Sequence, residues 1–166
     1  MHSQAFVPME RYRRKLYRPD RDYIDGHLEA RNWGESPHAR LQLRLAVALL
    51  KQVPAGFEVL PSIRIRVAES RIRVADICVA HASEEPIVTT PPVLCVEVVS
   101  PRDRMTRILQ RTRDYLQMGV PYVWLVETET RSSFVATPGE GLREVKSGVL
   151  RTENPSLQVP LSEFFD

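Results

Sequence analysis

Residues 94–126 constrain the fold more tightly than any other stretch. Leu94 to Val99 is a short continuous apolar run, the pattern of a central strand buried on both faces. Asp103 can cap a helix running from about Arg104 to Gln117, with Ile108, Thr112, Tyr115 and Leu116 on its buried side and Gly119 to close it. Tyr122 to Val126 is a second apolar run. Strand, helix, strand in this order predicts a right-handed parallel crossover, since two parallel strands cannot be joined by a tight turn.

The flanking segments supply antiparallel neighbours. Asp25-Gly26 is a turn between two short strands in Asp22 to Glu29. Ser36-Pro37 opens a helix, Ser as N-cap and Pro at the first helical position, and Leu41, Leu45, Ala48 and Leu49 follow at helical spacing. Pro54 and Gly56 end it. Ile63, Ile65 and Val67 alternate with Arg64 and Arg66 as a half-buried strand, Glu69-Ser70 turns the chain, and Ile72 to Ala80 runs back. The prolines of 81–92 make a loop. Phe134 to Ala136 and Leu142 to Val145 read as edge hairpins, and Leu161 to Phe165 as a closing turn. The expectation is an α+β fold: a mixed β-sheet core flanked by helices, in one domain over residues 21–166. Residues 1–20 precede it as a basic arm carrying Arg11, Arg13, Arg14, Lys15 and Arg18, either solvated or touching phosphate.

At 166 residues with 43% hydrophobic content the chain can bury one core. It has no apolar run of membrane-spanning length and no secretory signal pattern, so the expected compartment is the cytoplasm, with no membrane partner. Cys78 and Cys95 sit in apolar runs without metal-ligand spacing and read as reduced core residues. A net charge of +2 does not by itself announce a nucleic-acid partner. The kind of base is more telling, since only Lys15, Lys51 and Lys146 of the 23 basic residues are lysines, and arginine is the better bidentate phosphate ligand.

Two carboxylates stand where folding alone would place Val or Ile. Asp76 shares strand parity with Ile72, Val74 and Cys78, and Glu97 interrupts the apolar 94–99 run. Burying an unpartnered charge costs several kcal/mol. Either each pairs with a nearby arginine such as Arg73, or the two converge on a hard divalent cation. The following helix favours an anion nearby. Arg102 and Arg104 flank its N-terminus against the helix dipole, and Arg107 and Arg111 stand four apart on one face, so folding gains little from them. Free N–H groups and guanidinium groups there would suit phosphate. A merely solvated basic face is the alternative. His38, the second residue of its helix, is either a partly exposed first-turn histidine or a contact to the acids or to phosphate. Trp33 and Trp124 fit core or hinge packing better than base stacking, and no nucleophile elbow, dinucleotide fingerprint or P-loop is present.

These segments together resemble a known family. Val74-Ala75-Asp76-Ile77, then Val96-Glu97-Val98-Val99-Ser100-Pro101, then the helix ending Asp114-Tyr115-Leu116, then Gly119-Val120-Pro121-Tyr122-Val123-Trp124-Leu125-Val126 are similar to the Uma2 restriction-endonuclease family, within the PD-(D/E)xK nuclease superfamily. Asp22-Tyr23-Ile24-Asp25-Gly26-His27-Leu28 and Ser36-Pro37-His38 resemble its N-terminal signature. The resemblance implies a restriction-endonuclease-like fold and Mg²⁺- or Mn²⁺-dependent hydrolysis of DNA phosphodiesters. It implies Asp76 and Glu97 as catalytic acids and metal ligands, with the Val98 carbonyl as a further ligand. Arg102, Arg104, Arg107 and His38 would bind substrate, and a homodimer would bring two sites to two strands. The superfamily's lysine, expected two residues after Glu97, is Val99 here. In related members a lysine lies on the next helix, at the position of Arg111, which is therefore the expected third catalytic residue. Arginine stabilises a phosphorane-like transition state but cannot accept a proton. A catalytically weakened DNA-binding module is thus the alternative, and a small-molecule hydrolase or lyase using the same metal site is a third reading.

Overall fold

The antiparallel pair at the centre of the fold is unusually long. In the computed structural model, which describes residues 5–31 and 35–165, β3 (Phe57–Ala68) and β4 (Arg71–His81) pair along nearly their whole length. The expected turn at Glu69-Ser70 joins them. β4 is buried throughout its interior because β3 covers one edge and other elements cover both faces.

The other edge of β4 has two occupants. β1 (Asp22–Ile24), hairpinned to β2 (His27–Glu29), pairs with the start of β4 through Tyr23↔Ile72. β5 (Leu94–Val99) pairs antiparallel with Ile77 to Val79. The β1–β2 turn has Asp25 at φ 48° and Gly26 at φ 91°, the paired positive values that an Asp-Gly turn of this length needs. Beyond β5 the predicted crossover is present: α3 (Met105–Met118) leads to β6 (Val123–Glu127), parallel to β5 with Val96↔Trp124. Gly119 ends α3 in the left-handed region at φ 109°, where any side chain would be strained. β7 (Ser133–Thr137) and β8 (Gly141–Glu144) extend the sheet antiparallel, so the eight-stranded sheet is mixed, as expected.

The two faces carry separate cores. α2 (Ser36–Leu50) lays Leu41, Leu45 and Leu49 on Ile77, Val79, Val96 and Trp124. A separate hairpin, β9 (Val149–Thr152) with β10 (Leu157–Pro160), adds Leu150, Leu157 and Val159 to that layer. The sequence pattern had marked only edge hairpins in this region. On the opposite face α3 packs Ile108 and Tyr115 on Cys78, Cys95, Val123 and Leu125. Both cysteines are free and buried, and burial pushes the Cys78 thiol up to about 12 and raises that of Cys95 well above its ordinary value, which keeps them protonated.

Several local expectations need correction. Glu35, not Ser36, is the N-cap residue of α2, and neither α2 nor α3 has a side-chain cap bond. Asp103 caps the preceding turn instead, its Oδ2 accepting the Ser100 N–H at 2.7 Å. Arg64 is not solvated but buried, whereas its strand neighbour Arg66 is exposed. The reason lies in residues 5–20. Met9–Arg14 forms a short helix, α1, whose Tyr12 is buried and donates to the Arg21 carbonyl at 2.6 Å. Arg64 grips Asp20 with two nitrogens at 2.7 and 2.6 Å, bonds the Tyr12 and Lys15 carbonyls, and lies over the Tyr12 ring. The arm's basic side chains are exposed, but its backbone is docked. Trp124 is core, as expected, while Trp33 lies outside the described residues. No helix among the described residues is long and apolar enough to cross a membrane.

The docking of α2 yields a direct contrast. Leu45→Ala should cost about 2–5 kcal/mol by leaving a cavity under the helix, whereas Leu43→Ala, on the same helix but 65% exposed, should stay within about 0.5 kcal/mol. Urea denaturation of both variants checks which face is packed.

Candidate active site

The shared edge of β4 leaves a gap. β1 covers residues 71–72 and β5 covers 77–79, so the ladder is interrupted between them. Buried backbone groups need partners, and side chains provide them here. The Val74 N–H donates to Asp22 Oδ1 at 2.8 Å, and the Val74 carbonyl accepts from Arg111 at 2.6 Å. The Val98 N–H donates to Asp76 Oδ2 at 2.8 Å. Both Asp76 and Glu97 stand in this gap, on adjacent strands and on the α3 face.

Each carboxylate is fixed through one oxygen. Asp76 Oδ2 takes the Val98 N–H and lies 3.3 Å from His38 Nε2. Glu97 Oε1 accepts from Arg111 Nη2 and from the Tyr115 hydroxyl, both at 2.7 Å. The remaining oxygens converge: Arg31 Nη2 donates to Asp76 Oδ1 at 2.8 Å and to Glu97 Oε2 at 3.1 Å. One cationic nitrogen is thus shared by both acids. This tests whether the residues suit a hard divalent cation, and they do: two carboxylate oxygens already bind one positive charge, while their partner oxygens are oriented by separate donors. Among the described residues no group of three or more His, Cys, Asp or Glu side chains could hold a metal, so backbone and water oxygens would complete such a site.

Behind the acids lies a second ionic layer. Arg111 also pairs closely with Asp22. Arg73 bonds Asp22 at 3.0 Å and Asp114 at 2.8 Å, and Arg71 reaches Asp114 at 3.1 Å. Of the two readings of the sequence, pairing with an arginine is what both acids show, but the partners are Arg31 and Arg111 rather than Arg73.

Protonation follows these contacts. Burial works against ionising Asp76, but Arg31, then His38 and the Val98 N–H, outweigh it and hold the carboxyl below the usual range. Burial likewise opposes charge on His38, yet the Asp76 contact wins and raises it. For Glu97 burial prevails, with repulsion from Asp76 adding to it, and the carboxyl is raised despite Arg111 and Arg31. The pull of Arg111 on Glu97 exists but is smaller than the desolvation.

The chain matches the model of the Uma2 family, described as "Putative restriction endonuclease", over residues 9–165. The chain belongs to the Uma2 family. A solved structure with a similar fold is the crystal structure of a putative nuclease belonging to DUF820 from Anabaena variabilis, at a TM-score of 0.82 and 17% identity, covering 96% of this chain and 97% of that one. The restriction-endonuclease-like fold expected from the sequence is therefore present. Comparison with curated proteins found no match.

One cleft of about 290 Å³ is lined by Glu97, Val98, Arg31 and Arg111 with Arg102, Arg104 and Arg107. Arg111 is buried on the cleft floor and neutralised by acids, so it is not part of an exposed basic face with Arg107. Arg107 is exposed and reaches the Ala30 carbonyl at 3.5 Å, and Arg102 pairs with Glu35 at 3.1 Å. His38 is buried against Asp76, behind the cleft. Lys51 and Lys146 do not line the cleft. Sequence reasoning missed Arg31, a lone arginine after β2, and the role of Asp22, whose only signal was its place in the N-terminal signature.

Asp22 generates a pH prediction. Burial opposes its charge, but Arg111, Arg31 and Arg73 hold its folded pKa below the ordinary 3.8. Its stabilising contribution is therefore complete above that value and is lost as pH falls through the lower folded value. Asp22→Asn should cost about 3–5 kcal/mol at neutral pH by stranding buried arginines, and the deficit should shrink as pH drops below about 4. Denaturant titrations of both proteins across this range check it.

Proposed function

We propose that this Uma2 protein is a metal-dependent nuclease acting on DNA phosphodiester bonds, with Mg²⁺ or Mn²⁺ held by Asp76 and Glu97. The observation carrying this reading is the convergence of Asp76 Oδ1 and Glu97 Oε2 on one cationic nitrogen in an arginine-lined cleft. The Val98 carbonyl is a fitting third ligand. The Val98 N–H faces Asp76, and the N–H and C=O of one strand residue point to the same edge.

A divalent cation there would supply Lewis acidity toward a phosphoryl oxygen and lower the pKa of water. The chain's own residues bind and orient. Asp76 is aimed by the Val98 N–H and His38, and Glu97 by Arg111 and Tyr115. Arg102, Arg104 and Arg107 on the rim attract the phosphate backbone. Arg111 cannot take a proton from water, so its part is to hold Glu97 in place. One cleft addresses one strand, so cutting both strands of a duplex would call for two copies. A monomer by light scattering at high concentration would restrict the activity to nicking.

One observation favours a second reading, a DNA-binding module that has lost catalysis. Arg31 and Arg111 together neutralise the acid pair, and no lysine lines the cleft. Plasmid cleavage separates the two. Wild type should nick DNA only with Mg²⁺ or Mn²⁺, and Asp76→Ala should abolish it. Arg111→Lys should retain or raise cleavage, while Arg111→Ala should remove it with metal binding little changed. DNA binding without cleavage by wild type and Arg111→Lys alike would establish the second reading. Under either, Ala at 102, 104 and 107 together should weaken DNA binding and flatten the slope of log K against log salt by about 2–3. An unchanged slope reassigns these arginines to a solvated face.

A further inference from the structure

We infer that Arg31 is a built-in stand-in for the divalent cation, and that a metal can load onto Asp76 and Glu97 only when this guanidinium leaves them. The inference rests on the metal-site reading above and adds a residue that reading does not use.

Three observations lead to it. A single Arg31 nitrogen bridges the acids, 2.8 Å from Asp76 Oδ1 and 3.1 Å from Glu97 Oε2. Those are the oxygens left over once Val98, His38, Arg111 and Tyr115 have taken the other two. The Arg31 side chain is only 16% exposed, so the pairing is largely shielded from water. A guanidinium and a divalent cation cannot both sit on the same two oxygens, because like charges at that separation repel strongly where water is excluded. Metal binding is therefore an exchange.

The exchange has two consequences. Without metal, Arg31 prevents two buried carboxylates from facing each other uncompensated across adjacent strands. With metal, the released guanidinium remains in a cleft already rimmed by Arg102, Arg104 and Arg107, where it adds a fourth phosphate-facing charge. Metal loading would then raise the affinity of the cleft for a phosphodiester backbone through this chain's own side chain.

Calorimetric titration of the purified protein with Mn²⁺ tests the exchange without reference to cleavage. Arg31→Ala should bind Mn²⁺ at least about tenfold more tightly than wild type, since the competing internal ligand is gone. Adding Asp76→Ala should abolish binding in both backgrounds. Arg31→Ala should melt at a lower temperature than wild type in chelator, and saturating Mn²⁺ should close that gap. If wild type binds Mn²⁺ through Asp76 but Arg31→Ala binds equally or less well, the stand-in role is wrong and the metal-site reading survives. If neither binds, both fall. Should Arg31→Ala fail to fold, wild type alone decides through arginine-directed dicarbonyl labelling read by peptide mapping. Arg31 should be protected in chelator and become reactive with Mn²⁺, and reactivity unchanged by Mn²⁺ overturns the inference.

Discussion

A strand can give one edge to two partners only by leaving backbone between them without a ladder, and β4 does so between its pairings with β1 and β5. Water cannot satisfy backbone groups buried at that depth, so side chains must. Asp22, Asp76 and Arg111 do this. The acids are therefore held by the sheet itself: Asp76 replaces a missing rung between β4 and β5, and Glu97 lies beside it because the register of the two strands is fixed by the apolar pairs below, Ile77↔Val96 and Cys78↔Cys95. A rigid ladder on one side and a gap on the other aim two carboxylates at one point.

Concentrating charge in this way is costly, and the arrangement of arginines shows how the cost is offset. Arg73, Arg111 and Arg31 form successive layers from the back of the gap to its mouth, Arg73 shared among three carboxylates and each of the others between two. Such networks rarely add net stability over apolar packing. What they supply is position. Arg73 is fully enclosed, Arg111 is buried on the cleft floor, and Arg31 is the most exposed of the three. The balance of charge is thus adjustable at the side from which a cation or phosphate would arrive.

Elements specified by neighbouring residues were readable from the sequence. The crossover of 94–126, the Asp25-Gly26 turn, the Gly119 stop and the long hairpin all follow from local periodicity or backbone preference, and the two acids stood out because they break an apolar pattern. What was not readable depends on partners far along the chain. Arg111 meets Asp22 across 89 residues and Arg31 meets Glu97 across 66. Nothing in the short polar segment after β2 distinguishes Arg31 from a solvated arginine. Arg64 misled in the opposite direction, since strand alternation assigned it to water while α1 and Asp20 fold back to bury it. The capping residue of α3 shifted because Asp103 satisfies the turn before that helix.

The central claim is that the gap in the sheet presents Asp76 and Glu97 to a single divalent cation. Anomalous diffraction from crystals soaked in Mn²⁺ measures this most directly. The account predicts one peak about 2.1 Å from Asp76 Oδ1 and Glu97 Oε2, within reach of the Val98 carbonyl, with the Arg31 guanidinium turned away from both acids. A saturating soak that leaves Arg31 bridging the two carboxylates, with no peak between them, would contradict it.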